Sequence, residues 1–360
     1  MTQDVDKNRR RFISAMTAAV TGLELPILGS MRTILDRFGV PSREGLDALR
    51  GATSWLNSEP IMPSRLRDKV VLIDIWTYTC INWLRWLPYI RAWLEKYRSN
   101  GLVVIGVHTP EFGFEHDLDN VSRAVKRLGL THPIAVDNDY AIWRGVNNQY
   151  WPALYLFDGK GKLRHHQFGE GRYEQSEAAI QRVLSDSGAR GITPEVVAVK
   201  GRGVEAPADW DNLRTPETYL GHARAERFAS ERAVPNARVA YSAPERLLSN
   251  EWALDGTWTV GAEAVALGEP SGRIVCRFHA RDLHLVMRPD EPGKSVRFRI
   301  RLDGGPPGDA RGGDIDEQGG GLVSEPRLYQ LIRQPGSIME RVLEIEFLDP
   351  AVEAYALTFG

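Results

Sequence analysis

The residue best suited to covalent chemistry in this sequence is a cysteine next to a strand-to-helix junction. Cys80 lies in the segment 76–83, which reads WTYTCINW and follows an apolar run of strand length. Backbone N–H groups at the start of a helix favour a negative charge. We therefore predict that the pKa of Cys80 is lowered and that its thiolate is the reacting species.

The chain has only two cysteines, so it cannot build a disulfide framework or a four-cysteine zinc site. Cys276 falls on the inward face of a predicted strand far along the chain, where a small buried core residue is expected. The formal net charge of −2 argues against nucleic acid as an obligate partner, because such binding needs a basic face. Thiol chemistry therefore centres on Cys80.

Three further residues are candidates for moving protons near Cys80. Asp74 lies within the strand beneath the predicted helix, where burial would raise its pKa and make it a base. A strand aspartate held by a partner is the alternative. Glu111 and His108 lie at or just after the end of the next strand, on the same edge of the sheet. They are candidates for proton handling, and solvated loop residues are the alternative.

The elements that would position these residues follow an α/β order. Strands are predicted over 70–75, 102–107 and 153–157, since each is a continuous apolar run, and 163–168 is predicted to return as a hairpin partner. Helical apolar spacing links them over 83–97, 118–128 and 173–187. This order predicts a parallel crossover within one domain over residues 51–189.

The rest of the chain has a different pattern. Residues 190–235 have scattered proline and glycine and are predicted to be a linker. Residues 236–360 alternate with a period of two and have many turn signals, which predicts an all-β sandwich that is jelly-roll-like. Within it, 252–254 and 257–260 are predicted to form a hairpin about Asp255-Gly256.

Four motifs make the sequence resemble a known family. They are WTYTCIN at 76–82, GVHTPEF at 106–112, Trp151-Pro152, and RFHARDL at 277–283. With these, residues 51–360 resemble the TlpA-like redoxins, and most of all the extracytoplasmic portion of DipZ-type proteins.

The resemblance implies a thioredoxin fold followed by a β-sandwich similar to a carbohydrate-binding module. It implies thiol–disulfide oxidoreductase activity outside the cytoplasm, on a protein or a low-molecular-weight thiol or disulfide, with Cys80 as the attacking residue. Pro152 would be a cis-proline beside it, which its place before a strand and after an aromatic residue also favours. The expected substrate groove comprises Trp76, Thr77, Trp83, Trp151 and Pro152.

The sequence departs from the family at the second position of the Cys-x-x-Cys motif, which is Trp83. Three interpretations stay open. Cys80 alone could exchange disulfides, with an external thiol completing the reaction. The domain could instead be a binding scaffold without catalysis, with Trp83 as an exposed apolar contact or packed against Trp86 or Tyr78. It could also be a one-cysteine peroxide reductase, since Thr77 precedes Cys80 by three residues.

The remaining features concern location and ligands. Arg9–Arg11 followed by an apolar run predict a twin-arginine-type signal or uncleaved anchor and linker within 1–50, and hence a periplasmic or envelope protein. Membrane contact is expected only through that segment, and no cofactor is predicted. Asp314 and Asp316, with Asp309 and Glu317, are weak candidates for a calcium site. The sandwich is expected to bind a partner or an envelope glycan, for which Trp252, Trp258 and Tyr329 could form a stacking surface.

Overall fold

Residues 44–230 and 233–360 are described by the computed structural model of the protein. The predicted signal or anchor at 1–50 lies outside the described residues except at its end. There α1 (Glu44–Asp47) runs into a 3-10 helix, Ala48–Gly51. In the described part of the chain, no helix combines the length and the apolar character needed to cross a membrane.

Six strands form the sheet of the first domain. They are β1 (Ser54–Leu56), β2 (Val70–Trp76), β3 (Leu102–His108), β4 (Ile134–Val136), β5 (Ala153–Phe157) and β6 (Leu163–Phe168). The order across the sheet is β1-β4-β3-β2-β5-β6. Strands β2, β3 and β4 are parallel to one another, and the other pairings are antiparallel.

The helices of this domain are α2 (Ile81–Tyr97), α3 (Leu118–Arg127), α4 (Ala141–Gly145) and α5 (Tyr173–Asp186). All seven residues of the central strand β2 are buried, as a strand covered on both faces requires. The predicted strands and long helices are confirmed. The sequence reasoning missed β1, β4 and α4, which are too short to show a period of their own.

The second domain is all-β and antiparallel. Its strands are β7 (Thr218–Tyr219), β8 (Arg238–Tyr241), β9 (Trp252–Val260), β10 (Val265–Leu267), β11 (Arg273–His279), β12 (Asp282–Pro289), β13 (Val296–Leu302), β14 (Gly320–Val323), β15 (Arg327–Arg333), β16 (Glu340–Phe347) and β17 (Val352–Phe359). One sheet runs β14-β13-β16-β11-β9, and the other contains β8, β10, β17, β12 and β15. Their inner faces share one apolar core, so the all-β prediction is confirmed.

The predicted hairpin at Asp255-Gly256 is wrong, because Trp252–Val260 is a single strand. Gly256 has a φ of 96°, which bends the strand without reversing it. The first half of β9 pairs with β11, and the second half pairs with β10 and β8. This strand thereby connects the two sheets.

The two domains share an apolar cluster that includes α2. Tyr355 and Leu328 of the second domain belong to the same apolar cluster as the inward face of α2. The ring of Tyr355 lies edge-on to that of Phe114, with 4.7 Å between centroids. Within the predicted linker, β7 pairs with β17, and Arg91 of α2 binds Glu205 at 2.7 Å. The segment before the sandwich therefore contributes to the junction between the domains.

Candidate functional site

Cys80 lies at the junction that the sequence indicates. Strand β2 ends at Trp76, and Cys80 is the last residue before α2, with extended backbone angles. Its carbonyl oxygen accepts hydrogen bonds from the amides of Trp83 (3.1 Å) and Leu84 (3.0 Å), which start the helix. Cys80 is partly exposed, whereas residues 76–79 before it are buried. Cys80 is thus the one residue of this turn with partial exposure, although its surroundings are mostly apolar side chains.

The predicted lowering of the pKa of Cys80 is wrong. Burial raises the pKa of this thiol well above its usual range, and the carboxylates of Glu111 and Glu217 raise it further. The amides of Trp83 and Asn82 act in the opposite direction, as the position before a helix requires, but their effect is smaller. Cys80 is therefore a thiol, not a thiolate, at neutral pH.

Trp83 is completely buried, so its predicted role as an exposed contact or groove residue is wrong. Its ring stacks on that of Trp76 with 4.2 Å between centroids. The indole Nε1 donates a hydrogen bond to Asp74 Oδ2 at 2.9 Å. The side chain that replaces the second cysteine is thus a fixed core element with a buried polar partner.

Asp74 has the raised pKa that was expected for a buried strand carboxyl. Burial raises the pKa of Asp74 to about 7, although the hydrogen bond from Trp83 acts to lower it. Near neutral pH this carboxyl can therefore gain or lose a proton. Its immediate partner is an indole, which cannot take up that proton.

His108 and two of the predicted groove residues lie in the interior. Trp76, Thr77 and His108 have no exposed surface, so they cannot contact a substrate at the protein surface. The Thr77 hydroxyl is 3.5 Å from His108 Nε2. Burial lowers the pKa of His108 to about 3, which keeps the imidazole neutral and unable to donate an extra proton at neutral pH.

The Trp151-Pro152 peptide bond is cis, as predicted. Trp151 is partly exposed, and its Nε1 donates to the carbonyl oxygen of Thr109 at 3.0 Å. Thr109 in turn donates its amide to the carbonyl of Trp76 at 2.9 Å. This chain of contacts joins the turn before β5 to the carboxyl ends of β2 and β3. The groove role of Trp151 and Pro152 stays a prediction.

A buried glutamate that sequence reasoning missed holds the turn before Cys80. Glu115 Oε1 accepts a hydrogen bond from the Thr79 hydroxyl at 2.6 Å. Glu115 Oε2 accepts from the amides of Glu111 (2.6 Å) and Phe112 (3.1 Å). Burial raises the pKa of Glu115 to about 7 against these hydrogen bonds. In the sequence Glu115 lies in a short loop next to Phe114, and no local pattern indicates that its carboxyl is buried.

Glu111 is a point of contact between the domains. Its Oε1 accepts hydrogen bonds from the Tyr219 hydroxyl and from Arg224 Nη1, both at 2.8 Å. The same Tyr219 hydroxyl lies 3.0 Å from Glu217 Oε2. The sequence reasoning missed Tyr219, Glu217 and Arg224, since they fall in the predicted linker.

The remaining candidates do not form sites. Asp314 binds Arg327 at 2.6 Å, and Asp316 accepts the amides of Gln318 and Gly320, so both carboxylates are used within the protein. Within residues 44–230 and 233–360, no three metal-ligating side chains come together. Trp252, Trp258 and Tyr329 are buried, so the predicted sugar-stacking surface is wrong. Cys276 is also buried, which raises its pKa to about 12.

Comparison with known proteins found a matching family, related sequences and a similar solved structure. The family described as thioredoxin like C-terminal domain matches residues 215–360. Protein DipZ of Mycobacterium tuberculosis is 37% identical over 242 residues, 66% of this chain and 34% of DipZ. The thiol-disulfide oxidoreductase YkuV of Bacillus subtilis is 31% identical over 145 residues, 40% of this chain and 97% of YkuV. A thioredoxin-like protein solved in its oxidised form covers 37% of this chain and 90% of its own, at 32% identity and a TM-score of 0.35.

The fold and the cysteine at the start of α2 define a thioredoxin-fold protein with an all-β second domain. The chain belongs to the thioredoxin family, in its TlpA-like and DipZ-type branch. It spans about a third of the length of the DipZ proteins that it matches.

Proposed function

We propose that this protein carries out thiol–disulfide exchange through Cys80 alone. The observation that carries the proposal is the pairing of a partly exposed Cys80 with a fully buried Trp83 at the second motif position. The other cysteine, Cys276, is buried in the core of the second domain. A disulfide formed at Cys80 therefore has no thiol within the chain to displace it.

The reaction needs an incoming disulfide and, for release, a second thiol. Cys80 loses its proton, and its sulfur attacks one sulfur of the disulfide. The incoming S–S bond breaks, a mixed disulfide forms at Cys80, and the other half leaves as a thiolate that takes up a proton. An external thiol then attacks the captured sulfur of the mixed disulfide. Cys80 leaves as a thiolate and regains a proton, and a new disulfide joins the external sulfur to the captured group.

The raised pKa of Cys80 determines how this exchange should behave. Because only the thiolate attacks, exchange should be slow at neutral pH and should speed up as pH rises. A thiol of high pKa is also a poor leaving group, so the mixed disulfide should persist. The chemistry supports a protein that captures one partner and holds it until another thiol arrives.

The raised pKa also favours a second candidate, a catalytically inactive binding scaffold. Peroxide reduction has less support, since it needs a thiolate and a nearby hydroxyl. The Thr77 hydroxyl is buried and lies beside His108.

We further propose an exported location in the periplasm or cell envelope. Support comes from Arg9–Arg11 before an apolar run and from the similarity to DipZ proteins. The partner would be a protein or a small thiol or disulfide. A glycan ligand for the second domain stays a prediction, without the aromatic surface first expected for it.

Intact-mass measurement of the reduced protein after incubation with a neutral disulfide, 2-hydroxyethyl disulfide, tests the exchange. We expect a single adduct that persists when the reagent is removed and disappears on addition of a thiol. Cys80→Ser should abolish the adduct, and Cys276→Ser, the matched control, should retain it. If the wild-type protein forms no adduct even at alkaline pH, the scaffold is the better account.

A further inference from the structure

The loop after β3 is held by hydrogen bonds from the second domain at two points. Glu111 Oε1 accepts from the Tyr219 hydroxyl and from Arg224 Nη1, both at 2.8 Å. The Gly113 amide donates at 2.9 Å to Oε2 of Glu263, which lies between β9 and β10. Side chains of the second domain therefore fix the course of this loop from two directions along the chain.

Aromatic packing joins the same loop to the second domain. Phe112 and Phe114 are buried, and their rings lie against that of Tyr355 in β17, with 5.1 and 4.7 Å between centroids. The Tyr355 hydroxyl accepts from Arg288 Nε at 2.9 Å, within the second domain. It is therefore the ring of Tyr355 that supports the loop, and each residue of 111–114 contacts the second domain.

The same loop holds the turn that carries Cys80. The ring of Phe114 lies 6.2 Å from that of Tyr78, measured between centroids. The neighbouring Glu115 accepts a hydrogen bond from the Thr79 hydroxyl at 2.6 Å. Tyr78 and Thr79 are the two residues immediately before the cysteine. The loop thus links the second domain to this turn in two ways, by ring contacts and by a buried hydrogen bond.

We infer that the second domain controls the reactivity of Cys80 through this loop, and that Tyr355 is the positioning residue that keeps the thiol in its partly covered place. The inference rests on the proposed exchange reaction and gives the second domain a role in it. Phe114 and Tyr355 both belong to the apolar cluster against which Cys80 packs. Without the ring of Tyr355 the loop loses apolar support, so the turn opens more often and exposes the thiol to water and to small reagents.

Alkylation by iodoacetamide over a range of pH, read for each cysteine by digestion and mass spectrometry, tests this role. In Tyr355→Leu, Cys80 should react about tenfold faster near neutral pH, and its pH profile should move lower by about one pH unit. The reason is that burial raises the pKa of this thiol and exposure relieves that effect. Tyr355→Phe keeps the ring against the loop and should follow the wild-type protein.

Cys276 is an internal monitor of unfolding, because it lies in the core of the second domain. It should stay unreactive in Tyr355→Leu, which separates a local opening at Cys80 from a general loosening of the fold. Glu263→Ala removes an exposed acceptor and provides a second variant that does not disturb the core. It should speed alkylation of Cys80 by about twofold, since one exposed hydrogen bond is weak.

Thr79→Val tests the route, because it breaks the link at the turn itself. In the double variant with Tyr355→Leu, the acceleration at Cys80 should be smaller than the product of the two single effects. A wild-type rate at Cys80 in Tyr355→Leu, equal acceleration at Cys276, or effects that multiply in full would overturn control through the loop. If Tyr355→Leu does not fold, a wild-type rate in Glu263→Ala overturns it.

Adduct formation with 2-hydroxyethyl disulfide, measured on the same proteins, tests the exchange reaction separately. An adduct in every protein with unchanged alkylation rates would overturn the control by the second domain and leave the exchange intact. Faster alkylation in Tyr355→Leu with no disulfide adduct in any protein would overturn the exchange and leave the positioning by Tyr355 in place.

Discussion

The buried pair formed by Asp74 and Trp83 should make the stability of this protein depend on pH. The pKa of Asp74 is raised from 3.8 to about 7 by burial. Between these values the folded protein keeps a proton that the unfolded chain has released. The stability that Asp74 contributes therefore falls as pH rises from about 4 to about 7, and this loss is complete above that window.

The size of the loss follows from the shift. About three pKa units correspond to about 4 kcal/mol of unfolding free energy. Glu115, whose pKa rises from 4.5 to about 7, adds a loss of about 3 kcal/mol over a similar window. Burial lowers the pKa values of His108, His132 and His284 to about 3, about 4 and about 3, which acts in the opposite direction, because below pH 6.5 only the unfolded chain can protonate them. The effect of Asp74 is therefore measured as the difference between the wild-type protein and a variant at that position.

Asp74→Asn removes one of these two contributions. The amide oxygen can still accept from Trp83 Nε1, but the side chain no longer ionises. Burying the added N–H group costs about 1–3 kcal/mol at every pH. The variant should thus be the less stable protein near pH 4 and the more stable one near pH 8, the difference between them changing by about 4 kcal/mol.

Urea denaturation of the reduced full-length chain, followed by tryptophan fluorescence at several pH values, measures this difference. Asp68→Asn, at an exposed position of the same domain, is the matched control and should follow the wild-type protein. The reasoning would be refuted if the difference in unfolding free energy between Asp74→Asn and the wild-type protein stayed constant from pH 4 to pH 8.

Three further predictions concern the same turn. Trp83→Cys should cost about 3–5 kcal/mol of unfolding free energy, since it empties the space of a buried ring. Trp83→Ala is the control that loses the buried ring without gaining a thiol. Only Trp83→Cys should form an intramolecular disulfide with Cys80, which intact-mass measurement detects. Thr79→Val should destabilise the protein by about 1–3 kcal/mol in urea unfolding, because Glu115 loses its hydroxyl donor; an unchanged midpoint would contradict this. Glu111→Gln should raise the rate of iodoacetamide alkylation of Cys80 at fixed pH, since Glu111 raises the pKa of that thiol; a slower or equal rate would contradict the assigned electrostatics.

The strands and helices that could be predicted are those whose hydrophobic pattern lies entirely within their own residues. Strands β2 and β3 are long apolar runs, and helix α3 has a clear apolar stripe. β4 has only three residues and is defined by its pairing with β3 and β1. Asp255-Gly256 resembles a two-residue turn in the sequence, but the pairing of β9 with strands on both sides keeps this part of the chain extended.

The candidate site depended on contacts that local patterns do not encode. The position of Cys80 before α2 could be predicted, as could the burial of Asp74. The environment of the thiol could not, since Tyr219 lies 108 residues from the Glu111 that it contacts. The amides at the start of α2 act to lower the pKa of Cys80, as expected. Burial and the carboxylates of Glu111 and Glu217 raise it by more.

The most direct test of single-thiol exchange counts the thiols released when the reduced native protein reacts with excess dithiodipyridine, a neutral disulfide whose leaving group is coloured. We expect one coloured thiol for each chain and a persistent adduct at Cys80. Release of two for each chain with no adduct retained would mean that a second sulfur completes the reaction, which contradicts the account.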